Sequence, residues 1–183
     1  MATTVEVPSL GSQEDILSVS QNHEHPTPLH HLAATILHNL QYQHDWTSLS
    51  IHTYSTLTGH PLPRPVISGL PPTRAYIHPD EQIEVLKAEH ETGKPVEQFP
   101  ELEWVLPSHW EEKWTLARFA AVFDALDAVP PTGEDAHKQQ ENAVGHEWRG
   151  RNRQKRLLLA TLHDDSTVVY YIMHDGIVKP RQN

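Results

Sequence analysis

Residues 149–174, RGRNRQKRLLLATLHDDSTVVYYIMH, decide how this chain is read. Leu157, Leu158, Leu159 and Ala160 form one apolar run, and Val168, Val169, Tyr170, Tyr171, Ile172 and Met173 form a second, rich in β-branched and aromatic side chains. Between them, His163-Asp164-Asp165-Ser166 consists of residues that favour turns by hydrogen-bonding the local backbone. Two β-prone runs joined in this way read as a hairpin. Neither run alternates apolar with polar, so both faces of each strand need cover from helices or from another chain. The second run, followed by only ten residues, is expected to be an edge strand, a place where a partner adds a strand of its own.

The hairpin is entered through Arg149, Arg151, Arg153, Lys155 and Arg156, and this basic run stands out against an acidic chain. Residues 1–148 carry 7 Lys and Arg against 21 Asp and Glu, net −14, whereas residues 149–183 are net +4. An acidic body does not attract polyanions, so the run is at most an accessory contact to phosphate. Five cations without interleaved aromatic side chains are a weak nucleic-acid footprint, and the plainer reading is a solvated loop before a strand.

At 183 residues, 37% of them hydrophobic, the chain supports one domain with a real core. No apolar run approaches bilayer length, and the first residues lack the basic and apolar regions of a secretion signal. The absence of cysteine excludes disulfides, thiolate catalysis and thiolate metal sites, and suits a reducing compartment.

Upstream of the hairpin, residues 1–26 are polar and poor in large apolar groups, the composition of a disordered tail. Thr27-Pro28 is an N-cap and first-turn proline, and Leu29, Leu32, Ala33, Ile36, Leu37 and Leu40 follow at helical spacing. Residues 46–54 alternate as a half-buried strand does, with Leu49, Ile51 and Thr53 on one side. The proline-rich stretch 59–82 is expected to hold only short extended pieces at 65–68 and 74–78, because proline removes ladder donors. Pro79 opens a helix carrying Ile83, Val85 and Leu86, ended by Gly93. Residues 102–106 read as a short strand. Thr115 caps a helix whose buried face is Leu116, Phe119, Ala120, Val122, Phe123 and Leu126. Residues 130–148 read as an exposed loop around a polar segment. This order of elements predicts an α/β fold, a mixed β-sheet flanked by helices.

Three chemistries are open to these residues. His31 and His38 share a helical face, with His30 and His44 nearby, but their spacing is wrong for a metal site and no carboxylate joins them; no metal and no cofactor is assigned. Lys155, His163, Tyr170, Tyr171 and His174 cluster around the hairpin, yet strand alternation sends the two tyrosines to opposite faces, so a shared acid/base cleft is disfavoured. Asp164 and Asp165 are more simply turn formers than metal ligands.

RPVISGLPPTRAYIHPDEQ (64–82), EWVLPSHWEEKWTLARFAAVFDALDAVP (103–130) and KRLLLATLHDDSTVVYYIMHDGIVKPRQN (155–183) together resemble the small, non-catalytic fifteen-kilodalton Sen subunit of the eukaryotic tRNA-splicing endonuclease, in its filamentous-fungal form. The resemblance spans residues 27–183, taken as one domain. It implies a restriction-endonuclease-like fold, whose enzymatic members cut pre-tRNA with a Tyr-His-Lys triad. Lys155 or Arg156 stands beside the place of that lysine, but Glu97, Gln98 and Phe99 occupy the histidine region and residues 85–90, VLKAEH, the tyrosine region. One cation cannot supply a proton acceptor, a proton donor and charge stabilisation together, which agrees with a non-catalytic subunit.

The same resemblance implies an architectural role in a nuclear heterotetramer. The direct partner would be the catalytic thirty-four-kilodalton Sen subunit, met through Val168, Val169, Tyr170, Tyr171, Ile172 and Met173 and through Asp164 and Asp165, with the remaining subunits completing an assembly that binds pre-tRNA. A homodimer of the isolated chain through the same edge is the other expectation. The competing function is an autonomous ribonuclease built on Lys155, Tyr171 and His174, or an RNA-binding module using the basic run.

Overall fold

The computed structural model describes residues 27–131 and 144–176; the expected tail, 1–26, and the middle of the 130–148 loop lie outside them. The elements are α1 (Pro28–Gln43), β1 (Thr47–Tyr54), β2 (Pro61–Leu70), α2 (Pro79–Thr92), β3 (Glu103–His109), α3 (Leu116–Ala125), β4 (Arg156–Leu162) and β5 (Val168–His174). Two short 3₁₀ turns, His146–Trp148 and Gly150–Asn152, lead into β4. The strands form one five-stranded sheet in sequence order. Only β3 and β4 are parallel, and the long crossover between them contains α3. Every other neighbouring pair is antiparallel, which makes the sheet mixed, as the order of elements predicted.

Successive strand residues point to opposite faces, so Val66 and Ile67, or Val105 and Leu106, feed two different cores. On one face Ile36 and Leu40 of α1, with Trp46, pack on Ile67, Val105 and Ala160. On the other, Val122 and Phe123 of α3, with Leu126, pack on Val66, Trp104, Leu106 and Leu157. Six of the seven residues of β3 are buried, as befits the centre of the sheet. β1 and β5 are its edges.

Three expectations change. The proline-rich stretch holds a ten-residue strand, β2, not a four-residue piece. β3 joins it only at Ile67–Gly69, so Pro61, Pro63 and Pro65 lie where one side of the strand has no ladder to disrupt. Residues 74–78 form no strand. In α2 the N-cap is His78, whose Nδ1 accepts from the Asp80 amide, and the helix ends at left-handed Gly93 as predicted; but Ile83 and Leu86 face solvent, and the buried residues are Glu81 and Val85. Leu116, placed on the buried face of α3 by its periodicity, is 89% exposed.

Candidate functional site

β5 settles which tyrosine faces inward. It pairs with β4 along its whole length, from Leu162↔Val168 to Arg156↔His174. Val168 and Tyr170 belong to the α1 side, where Tyr170 donates to Asn39 Oδ1 at 2.6 Å and its ring meets His44 edge-on. Burial pushes the Tyr170 phenol far above its ordinary pKa. Val169, Tyr171 and Met173 point the other way. Met173 packs on the α3 core, but Tyr171 is 52% exposed, and on the first face Ile172 is 37% exposed. β5 is thus an edge strand with uncovered apolar groups at its centre, as the other edge, β1, has Ile51 and Tyr54 uncovered.

The turn that carries this strand is held firmly. The His163 amide donates to Thr167 O at 2.9 Å, and the Thr167 amide donates to Asp165 Oδ1 at 2.9 Å. That amide, together with the Thr167 hydroxyl, holds the exposed Asp165 carboxyl below its usual range. Asp164 is also exposed, and its carboxylate lies 3.3 Å from His109 Nε2 at the end of β3. The Trp110 and His163 rings lie parallel, with centroids 6.3 Å apart. Two carboxylates thus project from a rigid tip.

Most of the basic run is buried, not the solvated loop that was its plainer reading. Arg149, Arg153 and Arg156 are buried and paired with carboxylates. Arg149 Nε donates to Glu81 Oε1 at 2.7 Å, Arg153 reaches Glu103 at 3.2 Å, and Arg156 lies between Glu103 and Glu101, the latter at 3.3 Å. Arg74 joins from the other side, on Glu81 and Glu101. Gln98 Oε1 accepts from both Arg74 and Arg149. Burial by itself would raise the Glu101 carboxyl, but the Gly150 amide and the guanidinium groups of Arg153, Arg74 and Arg156 outweigh it and hold the group below the usual carboxylate range. Only Arg151 of the run is exposed; Lys155 donates to the Phe123 carbonyl at 2.9 Å.

This cluster closes the flanks of the 130–148 stretch, of whose described residues Pro131, His146 and Glu147 are exposed and others packed. Pro130 is buried, Trp148 stacks on His78 at 4.2 Å, and Gly145 lies against Glu81. The partners Glu81, Glu101 and Glu103 escaped sequence reasoning because they lie far along the chain from Arg149, Arg153 and Arg156, 68 positions in the case of Glu81 and Arg149. The signals were Glu81 four residues before Val85 on one helical face, and Glu101-Leu102-Glu103 opening an otherwise apolar strand.

The catalytic alternative does not assemble. Lys155 points to α3, Tyr171 lies exposed on that same side, and His174 lies on the α1 side with its ring 4.8 Å from Tyr76. Gln98 and Arg156, at two positions the resemblance associates with the triad, are engaged in the ion cluster. His31 and His38 are exposed, and among the described residues no three His, Asp or Glu side chains are grouped to hold a metal.

A Neurospora crassa protein named as probable tRNA-splicing endonuclease subunit tsp-1 is 51% identical over 170 residues, covering 93% of this chain and 74% of its own length. A Schizosaccharomyces pombe protein named as probable tRNA-splicing endonuclease subunit sen15 is 34% identical over 83 residues, 45% of this chain and half of its own length. With the Sen15 protein family matching residues 35–183, the chain belongs to that family.

Proposed function

We propose that this chain is a non-catalytic, architectural subunit of the tRNA-splicing endonuclease, working in the nucleus, and that it joins a catalytic subunit through β5 and the Asp164–Asp165 turn. The observation that carries the reading is the edge strand itself: fully paired with β4 on one side, it leaves Tyr171 and Ile172 uncovered. Strand addition would supply main-chain hydrogen bonds to the open edge and bury these side chains, while the two turn carboxylates suit a cationic pocket on the neighbour. In this reading pre-tRNA is bound and cut by the assembly. The dispersal of Lys155, Tyr171 and His174 over two faces of the sheet supports a chain without its own chemistry.

Co-expression with the catalytic subunit of the same organism tests this. The parent chain is expected to pull that subunit down, and Tyr171→Asp to fold but fail to do so. The purified chain alone should excise no intron from pre-tRNA. Metal-independent cutting by the isolated chain, abolished by Lys155→Ala, would overturn the non-catalytic assignment.

A further inference from the structure

β5 ends in a histidine whose surroundings keep it neutral. His174 lies directly across from Arg156 of β4, on the sheet face that also carries Leu158 and Ile172. Its ring packs edge-on against Tyr76, with centroids 4.8 Å apart, and its Nδ1 is buried with no hydrogen-bond partner among the described residues. The Arg156 guanidinium lies over the same Tyr76 ring, 5.3 Å from its centroid. The other ionisable neighbour is His78, the N-cap of α2, whose ring stacks on Trp148 and whose Nδ1 is 3.8 Å from Asp80 Oδ2. Glu101 and Glu103 are engaged by Arg153 and Arg156. Burial first, and then the charges of Arg156 and His78, oppose a proton on His174 and hold it below the ordinary histidine value of 6.5.

The same residue belongs to the open edge of the sheet. The His163 amide donates to Thr167 O and the Asp175 amide to Lys155 O, so the ladder with β4 uses the main-chain groups of Val169, Tyr171 and Met173. Those of Val168, Tyr170, Ile172 and His174 point the other way, where an added strand would pair. His174 therefore anchors β5 through its ring and presents the strand's edge through its backbone.

Resting on the reading that β5 receives another chain, we propose that His174 is a proton-sensitive latch on that strand. Neutral, its ring clamps the end of β5 against Tyr76. Protonated, it sets a further cation beside Arg156 and His78, and the strand end releases Tyr76 and loses the straight edge that a partner strand needs. A released histidine takes up a proton more readily than the clamped one. The clamp is thus complete above about pH 6.5 and weakens as pH falls below it, until the clamped ring is itself protonated. That window lies above the range in which carboxylates titrate, which separates the latch from the ion cluster.

The test follows the His174 ring of the full chain by nuclear magnetic resonance from about pH 8 to about pH 5. Its midpoint should lie below 6.5, and the Ile172–Asp175 amide signals should shift with it. Over the same range the parent's melting temperature should fall several degrees further than that of His174→Phe, which keeps a ring against Tyr76 and takes up no proton. His174→Gln, also uncharged, should show the same flattened acid profile from a lower starting stability. Retention of the co-expressed catalytic subunit should weaken several-fold on acidification with the parent and much less with His174→Phe. A midpoint at or above 6.5, or parallel acid profiles for the parent and both variants, overturns the latch. Equal pH dependence of retention for the parent and His174→Phe, with Tyr171→Asp still abolishing it, overturns the control of assembly and leaves the β5 reading intact. If Tyr171→Asp retains the partner while the isolated chain shows the low midpoint and the flattened variants, the β5 reading falls and the latch stands as a device of the fold.

Discussion

Tyr170 donates its phenol hydrogen to Asn39 at 2.6 Å, joining the edge strand to the first helix across almost the whole described chain. Its neighbour Tyr171 makes no such contact and lies 52% exposed. The two positions therefore separate folding from assembly. Tyr170→Asp places an unpaired carboxylate against Asn39 and the α1 core and should cost several kcal/mol, seen as a large fall in melting temperature. Tyr171→Asp should melt within a few degrees of the parent and lose the partner in a pull-down. Equal melting temperatures for the two variants would contradict the assigned faces.

The basic run divides in the same way. Arg149→Ala strands the buried Glu81 carboxylate with Arg74 as its remaining ion partner and should destabilise by about 3–5 kcal/mol in urea unfolding. Arg151→Ala removes an exposed side chain and should stay within about 0.5 kcal/mol of the parent. A similar loss for both would mean that the run acts as a surface patch.

Acid should loosen the cluster through Glu101. Its carboxyl is held below its ordinary value of 4.5 by the Gly150 amide and three guanidinium groups, despite the opposing effect of burial. The unfolded chain thus binds this proton more readily than the folded one. The stabilisation from Glu101 is complete above about pH 4.5 and disappears as pH falls through the lower folded value. Glu101→Gln should lower stability at neutral pH and flatten that part of the stability profile. A variant whose acid profile matches the parent's would place the acid sensitivity elsewhere.

Gly145→Ala should be costly for two reasons. The residue has φ 78°, and a Cβ there would sit 2.7 Å from Glu81 Cγ, a neighbour that two arginines hold in place. The expected loss is about 1–3 kcal/mol from backbone strain alone. Gly93→Ala, equally left-handed but with open space around it, isolates the strain without the clash and should cost less. Equal losses at the two glycines would remove Glu81 from the explanation.

Much of the fold was legible because it rests on local pattern. The hairpin, the start of α1 at Thr27-Pro28, the Gly93 stop and the Thr115 cap, whose side chain accepts from the Arg118 amide, all depend on residues a few positions apart. β2 was cut short because proline was read by its missing donor alone, and the sequence does not say that β3 pairs with only three of its ten residues. The ion cluster was invisible for a related reason. Arginines in RGRNRQKR look like surface until Glu81, Glu101 and Glu103 are folded against them, and no periodicity links segments that distant. Leu116 was placed on the buried face of its helix because helical spacing marks an apolar stripe without saying where that stripe ends.

The ion cluster also bears on how this chain tolerates change. Arg74, Glu81, Glu101 and Glu103 lie before the 132–143 connection and Arg149, Arg153 and Arg156 after it, so the ends of that connection are anchored by the protein on both sides. A single cut within it should yield two fragments that stay associated and unfold together.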